Sequence, residues 1–441
     1  MAAMALETAA DARTVRPARR LRGELRVPGD KSVTHRALLF NALARGSARI
    51  EGFLDSEDTR ATMACLRAMG ARIDEPGGGV VVVHGAGRPG LHEPDDVLDC
   101  ANSGTTMRLL SGVVAGLPML AVLTGDASLR RRPMARIIGP LSALGAAVTG
   151  RANGTLPPIV IRGGSLCGGR TLEPPVASAQ VKSAILLAAL AADGPTRVVE
   201  RAPTRDHTER MLGAMGAGIV VDGRAVTLTP PARDLAPVDV RVPGDISTAA
   251  AWIVAAALHP DAEVMLHNVG VNPSRTGLLD ILEAMGARVE RVEERMVGGE
   301  PVADLLVRSS SLRATEVSGD LVPRAIDELP LVALAGACAD GTTVIREAEE
   351  LRVKESDRVA ATAAVLRAFG IAVEERPDGM VVHGGARLHG GRAASAGDHR
   401  LAMLGAVAGL VSGEESVIEG AGAVSVSYPD FWTDLSRLSL S

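Results

Sequence analysis

Several short stretches of this sequence set cationic side chains beside small residues at what read as helix starts. "VPGDKSVTHR" carries Lys31, Ser32 and Arg36. Ser32 and Arg36 are four residues apart and share one face of a helix. "ANSGTTMR" carries Asn102, Ser103, Gly104, Thr105 and Arg108, and "RRRPM" carries Arg130, Arg131 and Arg132. "VASAQVKS" offers Ser178, Gln180 and Lys182, and "TRDHT" offers Arg205. "IDELP" places Asp327 and Glu328 just before an apolar run. "ELRVKESDR" holds Lys354, Glu355, Asp357 and Arg358, and "DHR" adds Arg400.

The N-terminus of a helix favours anions, and a lysine, a hydroxyl and an arginine there suit phosphate or carboxylate. Small residues around Gly104 let backbone N–H groups approach a ligand. The Walker A spacing is absent. Each cluster alone is compatible with a capped helix or a surface ion pair. Together, in a chain of net charge −5, they suit a polyanionic small ligand. Charge-assisted contacts contribute about 1.5–3 kcal/mol each, and two phosphates with a carboxylate carry about four to five negative charges near neutral pH.

The elements that must hold these residues come from a repeat. "LRAMGARI", "LSALGAAV", "LGAMGAGIV", "LEAMGARV" and "LRAFGIAV" each read as a helix, a stop and a strand. Their glycines, Gly70, Gly145, Gly216, Gly286 and Gly370, recur about every 70 to 85 residues. Glycine past a helix end adopts the left-handed conformation without a Cβ penalty. Each phrase follows an Ala/Leu-rich helix such as "VKSAILLAALAADG" and a short strand such as "TRVVER". "DHRLAMLGAVAGLVSGEESVIEG" is a sixth copy without the full ending.

The unit therefore reads strand, buried helix, strand, helix, strand. V-P-G-D occurs at Val27 and again at Val242, opening equivalent units in two halves. Two similar α/β globes follow, expected at 24–238 and 239–441, with the strand at 21–23 a candidate to pack with the second. Residues 1–20 read as a flexible tail. A helix apolar on nearly all faces is buried, so the helices lie inside and the sheets outside. Two generic α/β domains are the alternative.

Composition bounds the partners. With four Phe, two Trp and one Tyr, the core is aliphatic and the base-stacking platform of single-strand binders is missing. The acidic balance gives no reason to expect nucleic acid or a membrane. No apolar run reaches the roughly 18 residues of a span. The Ala- and Arg-rich N-terminus lacks an apolar signal region, and Glu7 and Asp11 speak against a transit peptide. Cys65, Cys100, Cys167 and Cys338 lie far apart and read as reduced core thiols in a cytoplasmic protein. No zinc spacing occurs.

"RVPGDKSVTHRALLFNALA", "NSGTTMRLL", "RRRPM", "SAQVKSAILLA", "RVKESDR" and "DHRLAM", in this order, resemble the 5-enolpyruvylshikimate-3-phosphate synthase family from about residue 21 to the C-terminus. "VASAQVKSA" and "TRDHTE" are similar to the branch that includes glyphosate-tolerant bacterial enzymes. The resemblance implies an inside-out α/β barrel of the enolpyruvyl transferase type. Each globe has three βαβαββ units, and the globes close over two substrates in the cleft between them. It implies transfer of the carboxyvinyl group of phosphoenolpyruvate to the 5-hydroxyl of shikimate 3-phosphate, by a cytoplasmic monomer with no cofactor and no metal. Lys31, Ser32, Arg36, Ser178, Ala179, Gln180, Arg205, Asp327 and Lys354 would bind shikimate 3-phosphate. Lys31, Gly104, Arg132, Gln180, Arg358 and Arg400 would bind phosphoenolpyruvate. Lys31, Asp327 and Glu355 would be catalytic.

The resemblance departs from many family members in two places. A late lysine gives way to Val426 or Ser427 in "VSVSYPDF", and an asparagine before W-R-V-K gives way to Glu350 or Leu351. Two other functions compete. UDP-N-acetylglucosamine enolpyruvyltransferase has asparagine after the lysine and commonly a mobile-loop cysteine, whereas here Ser32 follows Lys31 and "DASLRRRPM" has no cysteine. A non-catalytic anion-binding relative would not need Lys31, Asp327, Glu355, Arg358 and Arg400 intact.

Overall fold

The computed structural model describes residues 11–385 and 387–440. Its strands form six small sheets, five of four strands and one of three. The four-stranded sheets share one order. In Leu98–Asp99, Leu120–Thr124, Ala147–Gly150 and Leu156–Arg162, taken in chain order, the first strand is parallel to the second. The second is antiparallel to the fourth, and the fourth to the third. That is a βαβαββ unit, and the repeated phrases of the sequence lie in it.

The two helices of a unit have different jobs. The first is apolar almost all round and disappears from solvent. Ile246–Leu258 buries twelve residues in a row, and Lys31–Leu43, Gly104–Ala115, Ala179–Ala189, Leu329–Cys338 and His399–Val411 are similarly buried. The second is amphipathic, as in Glu57–Ala68, and ends in the glycine that the sequence pattern singles out. Gly70, Gly145, Gly216, Gly286 and Gly370 have φ of +90°, +105°, +90°, +88° and +84°. A side chain there would strain the backbone by about 1 kcal/mol or more.

The chain divides into two compact units, each with its own core. The first is Gly29–Pro243 with Met296–Glu300; the second is Gly244–Arg295 and Pro301–Ser441 with the N-terminal stretch up to Pro28. The border differs from the expected 238/239. Val240–Arg241 pairs in parallel with Arg45–Glu51 of the first unit, and Leu21–Leu25 pairs with Ala262–Gly270 of the second. Each V-P-G-D therefore follows a strand of one unit and precedes a helix of the other. At Gly29 a Cβ would come within 2.1 Å of the Gly52 carbonyl oxygen, so this turn takes only glycine.

Two expectations change. Residues 1–10 of the expected flexible tail lie outside the described residues. Ala12–Val15, however, is a strand antiparallel to Ser416–Glu419, in the sheet completed by Arg392–Ala394. It takes the place that the fourth strand holds in the other repeats, which is the part the sixth copy lacks. Pairing covers an edge that would otherwise expose unpaired backbone groups. Of the cysteines, all free, Cys65 and Cys100 are buried and Cys338 half-buried, but Cys167 is exposed. It sits in the connection between Leu156–Arg162 and Arg170–Leu172, and connections run over the surface.

Candidate active site

The cationic clusters stand at or just before helix starts: Lys31, Gly104, Ser178 and Arg400 at buried helices, and Arg132, Arg205 and Arg358 at amphipathic ones. In the first unit, Asp30 caps the helix Lys31–Leu43, its carboxylate accepting from Val33 N at 2.9 Å. The cap leaves Lys31 and Ser32 in the first turn. Lys31 Nζ pairs with Asp58 Oδ2 at 3.1 Å. Arg36 is buried and fully oriented: Nη1 donates to the Ser32 carbonyl at 3.0 Å, Nη2 to Ser183 Oγ at 2.8 Å and Nε to Thr208 Oγ1 at 2.8 Å. Arg205 Nη1 donates to Ser32 Oγ at 3.3 Å. Lys31, Ser32, Arg36 and Arg205 thus gather around one helix start.

A second set adjoins it in the same unit. Ser103 caps the helix Gly104–Ala115 by accepting from Thr106 N. Arg132 Nη1 donates to the Asn102 carbonyl at 3.1 Å and Nη2 to Asn102 Oδ1. Arg108 Nη1 donates to Gln180 Oε1, and Gln180 Nε2 to Thr105 Oγ1 at 2.8 Å. Ser178 is the cap position and Ala179 the first residue of the helix that carries Gln180. A Cβ on Gly104 would lie 3.0 Å from Arg108 Nη1 and 3.3 Å from Arg132 Nη1, so this glycine lets both guanidinium groups close in on the helix start.

In the second unit the organising group is Arg358, 1% exposed. Its Nε donates to Asp398 Oδ2 at 2.8 Å, Nη1 to Asp327 Oδ1 at 3.0 Å and Nη2 to Glu355 Oε2 at 2.7 Å. Burial works against its charge, but Asp398, Glu355 and Asp327 outweigh it and hold the guanidinium pKa above its ordinary value. Lys354 Nζ reaches Asp327 Oδ1 at 3.3 Å. Asp398 also caps the helix His399–Val411 through Arg400 N at 2.9 Å. Arg400 Nη1 donates to the Ser247 carbonyl at 2.5 Å. All five expected residues of this unit (Asp327, Lys354, Glu355, Arg358 and Arg400) belong to one connected network.

Some residues escaped the sequence reading. Asp58, Asp398 and Arg275 carry no role there. Arg275 is buried and donates from Nη2 to Asp245 Oδ1 at 3.0 Å and Ser247 Oγ at 2.8 Å. A signal for Asp245 and Ser247 existed: they are the counterparts of Asp30 and Ser32 in the second V-P-G-D. Conversely, Lys182 stands apart from the anion-facing sets. Its Nζ is buried against Glu200 at 2.9 Å and Glu209 at 2.6 Å, so it is a structural ion pair. Val426 ends a 3₁₀ turn, Ser427 is buried, and Glu350 and Leu351 lie in another 3₁₀ turn. Among the described residues no group of three or more His, Cys, Asp or Glu side chains is disposed to hold a metal ion.

Buried helices ringed by small sheets, with cations at the helix starts, define a class of fold, that of the enolpyruvyl transferases. The structure resembles the enolpyruvyl transferase NikO from Streptomyces tendae with a TM-score of 0.78, at 20% identity over 97% of both chains. Within that class the chain belongs to the EPSP synthase family, whose model (3-phosphoshikimate 1-carboxyvinyltransferase) matches residues 15–435. A 3-phosphoshikimate 1-carboxyvinyltransferase from Roseiflexus sp. is 56% identical over 97% of this chain and 99% of its own. One from Herpetosiphon aurantiacus is 54% identical over 96% and 99%. The EPSP synthase structure from Acinetobacter baumannii aligns with a TM-score of 0.86 at 43% identity, covering 98% of this chain and 99% of that one.

Proposed function

We infer that this chain is a 3-phosphoshikimate 1-carboxyvinyltransferase, moving the enolpyruvyl group of phosphoenolpyruvate to the 5-hydroxyl of shikimate 3-phosphate with release of phosphate. The observation that carries the reading is the family match over residues 15–435 with both cation sets intact. Shikimate 3-phosphate is bound by Lys31, Ser32, Arg36, Ser178, Ala179, Gln180, Arg205, Asp327 and Lys354. Phosphoenolpyruvate is held by Lys31, Gly104, Arg132, Gln180, Arg358 and Arg400. The enzyme works as a cytoplasmic monomer; among the described residues no helix is long and apolar enough to cross a membrane.

The residue types fit the bond changes. The 5-hydroxyl oxygen adds to C2 of phosphoenolpyruvate while C3 takes a proton. Asp327 accepts the hydroxyl proton, its carboxylate oriented by Arg358 and Lys354. The tetrahedral intermediate then loses phosphate and a C3 proton, and re-forms the double bond. Glu355 and Lys31 supply and remove the protons at C3 and at the leaving phosphate. The arginines neutralise the phosphate as its bond breaks, already oriented by their buried partners, so little reorganisation is needed. Phosphate release is the test: purified protein with phosphoenolpyruvate and either shikimate 3-phosphate or UDP-N-acetylglucosamine, in EDTA. Release with the first acceptor alone is expected. Folded protein releasing phosphate with neither would leave only anion binding, and release with the second would transfer the chain to the related activity.

A further inference from the structure

We propose that Asp58 is a positioning residue for the transfer reaction, aiming the ammonium group of Lys31. The inference rests on the role proposed above for Lys31. Asp58 lies in the first turn of the helix Glu57–Ala68, far in sequence from every motif considered above. Its side chain is 8% exposed and that of Lys31 18%, so their 3.1 Å contact is a largely dehydrated one rather than a surface ion pair. Oδ2 accepts a hydrogen bond from Lys31 Nζ, whereas Oδ1 is buried with no hydrogen-bond partner. A carboxylate with one oxygen left unpaired in the interior is a poor choice for stability alone. Its directed interaction is the one with Lys31.

The scaffold beneath Asp58 is rigid. Its carbonyl oxygen accepts from Thr106 Oγ1 at 3.3 Å. Thr106 Oγ1 also donates to Ser103 Oγ at 2.7 Å and lies 2.6 Å from Thr62 Oγ1, which is 2.7 Å from His35 Nδ1. Burial pushes the His35 imidazole down to about 3, so it is a neutral member of this chain. Three helices, Lys31–Leu43, Glu57–Ala68 and Gly104–Ala115, are tied together by His35, Thr62, Ser103 and Thr106, all of them buried. Asp58 is thereby held in register with both helix starts that carry the anion-binding groups. A flexible lysine has four side-chain torsions and, without an anchor, samples many positions. A catalytic cation must be within a fraction of an ångström of its task.

The expected signature is a split between turnover and binding. Asp58→Asn removes one negative charge beside a polyanion site, so ground-state binding of shikimate 3-phosphate is retained or tightened. Lys31 loses its anchor, and kcat falls by about tenfold or more. Steady-state kinetics of Asp58→Asn and Lys31→Gln, with thermal melting of each, is the experiment. A fall in kcat of at least tenfold, with KM for shikimate 3-phosphate no more than about threefold higher, supports the proposal. A kcat close to wild type, or a loss matched by an equal rise in KM, overturns it. Asp58→Ser, smaller and compatible with a helix start, is run in parallel so that an unfolded Asn variant does not decide the matter. Should Lys31→Gln itself leave kcat unchanged, the reading of Lys31 is what fails. If Lys31→Gln is crippled and Asp58→Asn is not, only the Asp58 inference falls.

Discussion

At the scale of single residues, the candidate site is built on cations oriented by buried protein partners. Arg358 distributes its nitrogens over Asp398, Asp327 and Glu355. A lysine has no planar fork to satisfy three carboxylates at once. Arg358→Lys is therefore expected to fold but to lose about a hundredfold or more in kcat/KM, as steady-state kinetics would read. His35 makes a pH prediction. Its folded pKa, about 3 against 6.5 for the free side chain, means that the unfolded chain binds a proton which the folded one refuses. This contribution is neutral above 6.5 and destabilises progressively as pH falls below it, by about 2 kcal/mol near pH 5. Urea midpoints measured from pH 8 to pH 5 should fall more steeply in the wild type than in His35→Gln.

At the scale of elements, the sequence pattern was legible wherever a residue type served one local purpose. The five glycines after the amphipathic helices all have the positive φ that their place in the phrase requires. Asp30, Ser103, Asp245, Asp357 and Asp398 accept from first-turn N–H groups of the helices that follow them. What local pattern could not show was pairing between distant segments. Ala12–Val15 reads as tail because four residues carry no periodicity, yet Val15 is 1% exposed. Val15→Asp would force a charge into that interior and is expected to lower unfolding free energy by about 3 kcal/mol. Trypsin should then cut more readily at Arg13. Lys182→Met makes the opposite kind of test. It leaves Glu200 and Glu209 without the ammonium that pairs them, and burial already holds the Glu209 pKa up. Calorimetric melting should show a loss of about 3–5 kcal/mol, a structural effect with no change in substrate preference for whatever folds.

At the scale of the whole molecule, the residues proposed for the reaction come from both units. Arg132→Ala in the first and Arg400→Ala in the second are each expected to lower kcat/KM for phosphoenolpyruvate by about two to three orders of magnitude, while both proteins melt as cooperatively as the wild type. Independence of the two substitutions from the same activity would break the two-unit reading. The sequence alone determined the repeat, the buried helices and a set of candidate site residues, because helix period, caps and glycine stops are local chemistry written every few residues. Only the tertiary structure decided the exchange of strands at the two V-P-G-D phrases, the completion of the sixth repeat by Ala12–Val15 and the sorting of equivalent-looking cations. Lys31 and Lys182 both sit near helix starts in similar surroundings of small residues. One pairs with Asp58 at the edge of solvent and the other is sealed between two glutamates. That difference depends on which distant carboxylates the fold brings within reach, and no spacing along the chain encodes it.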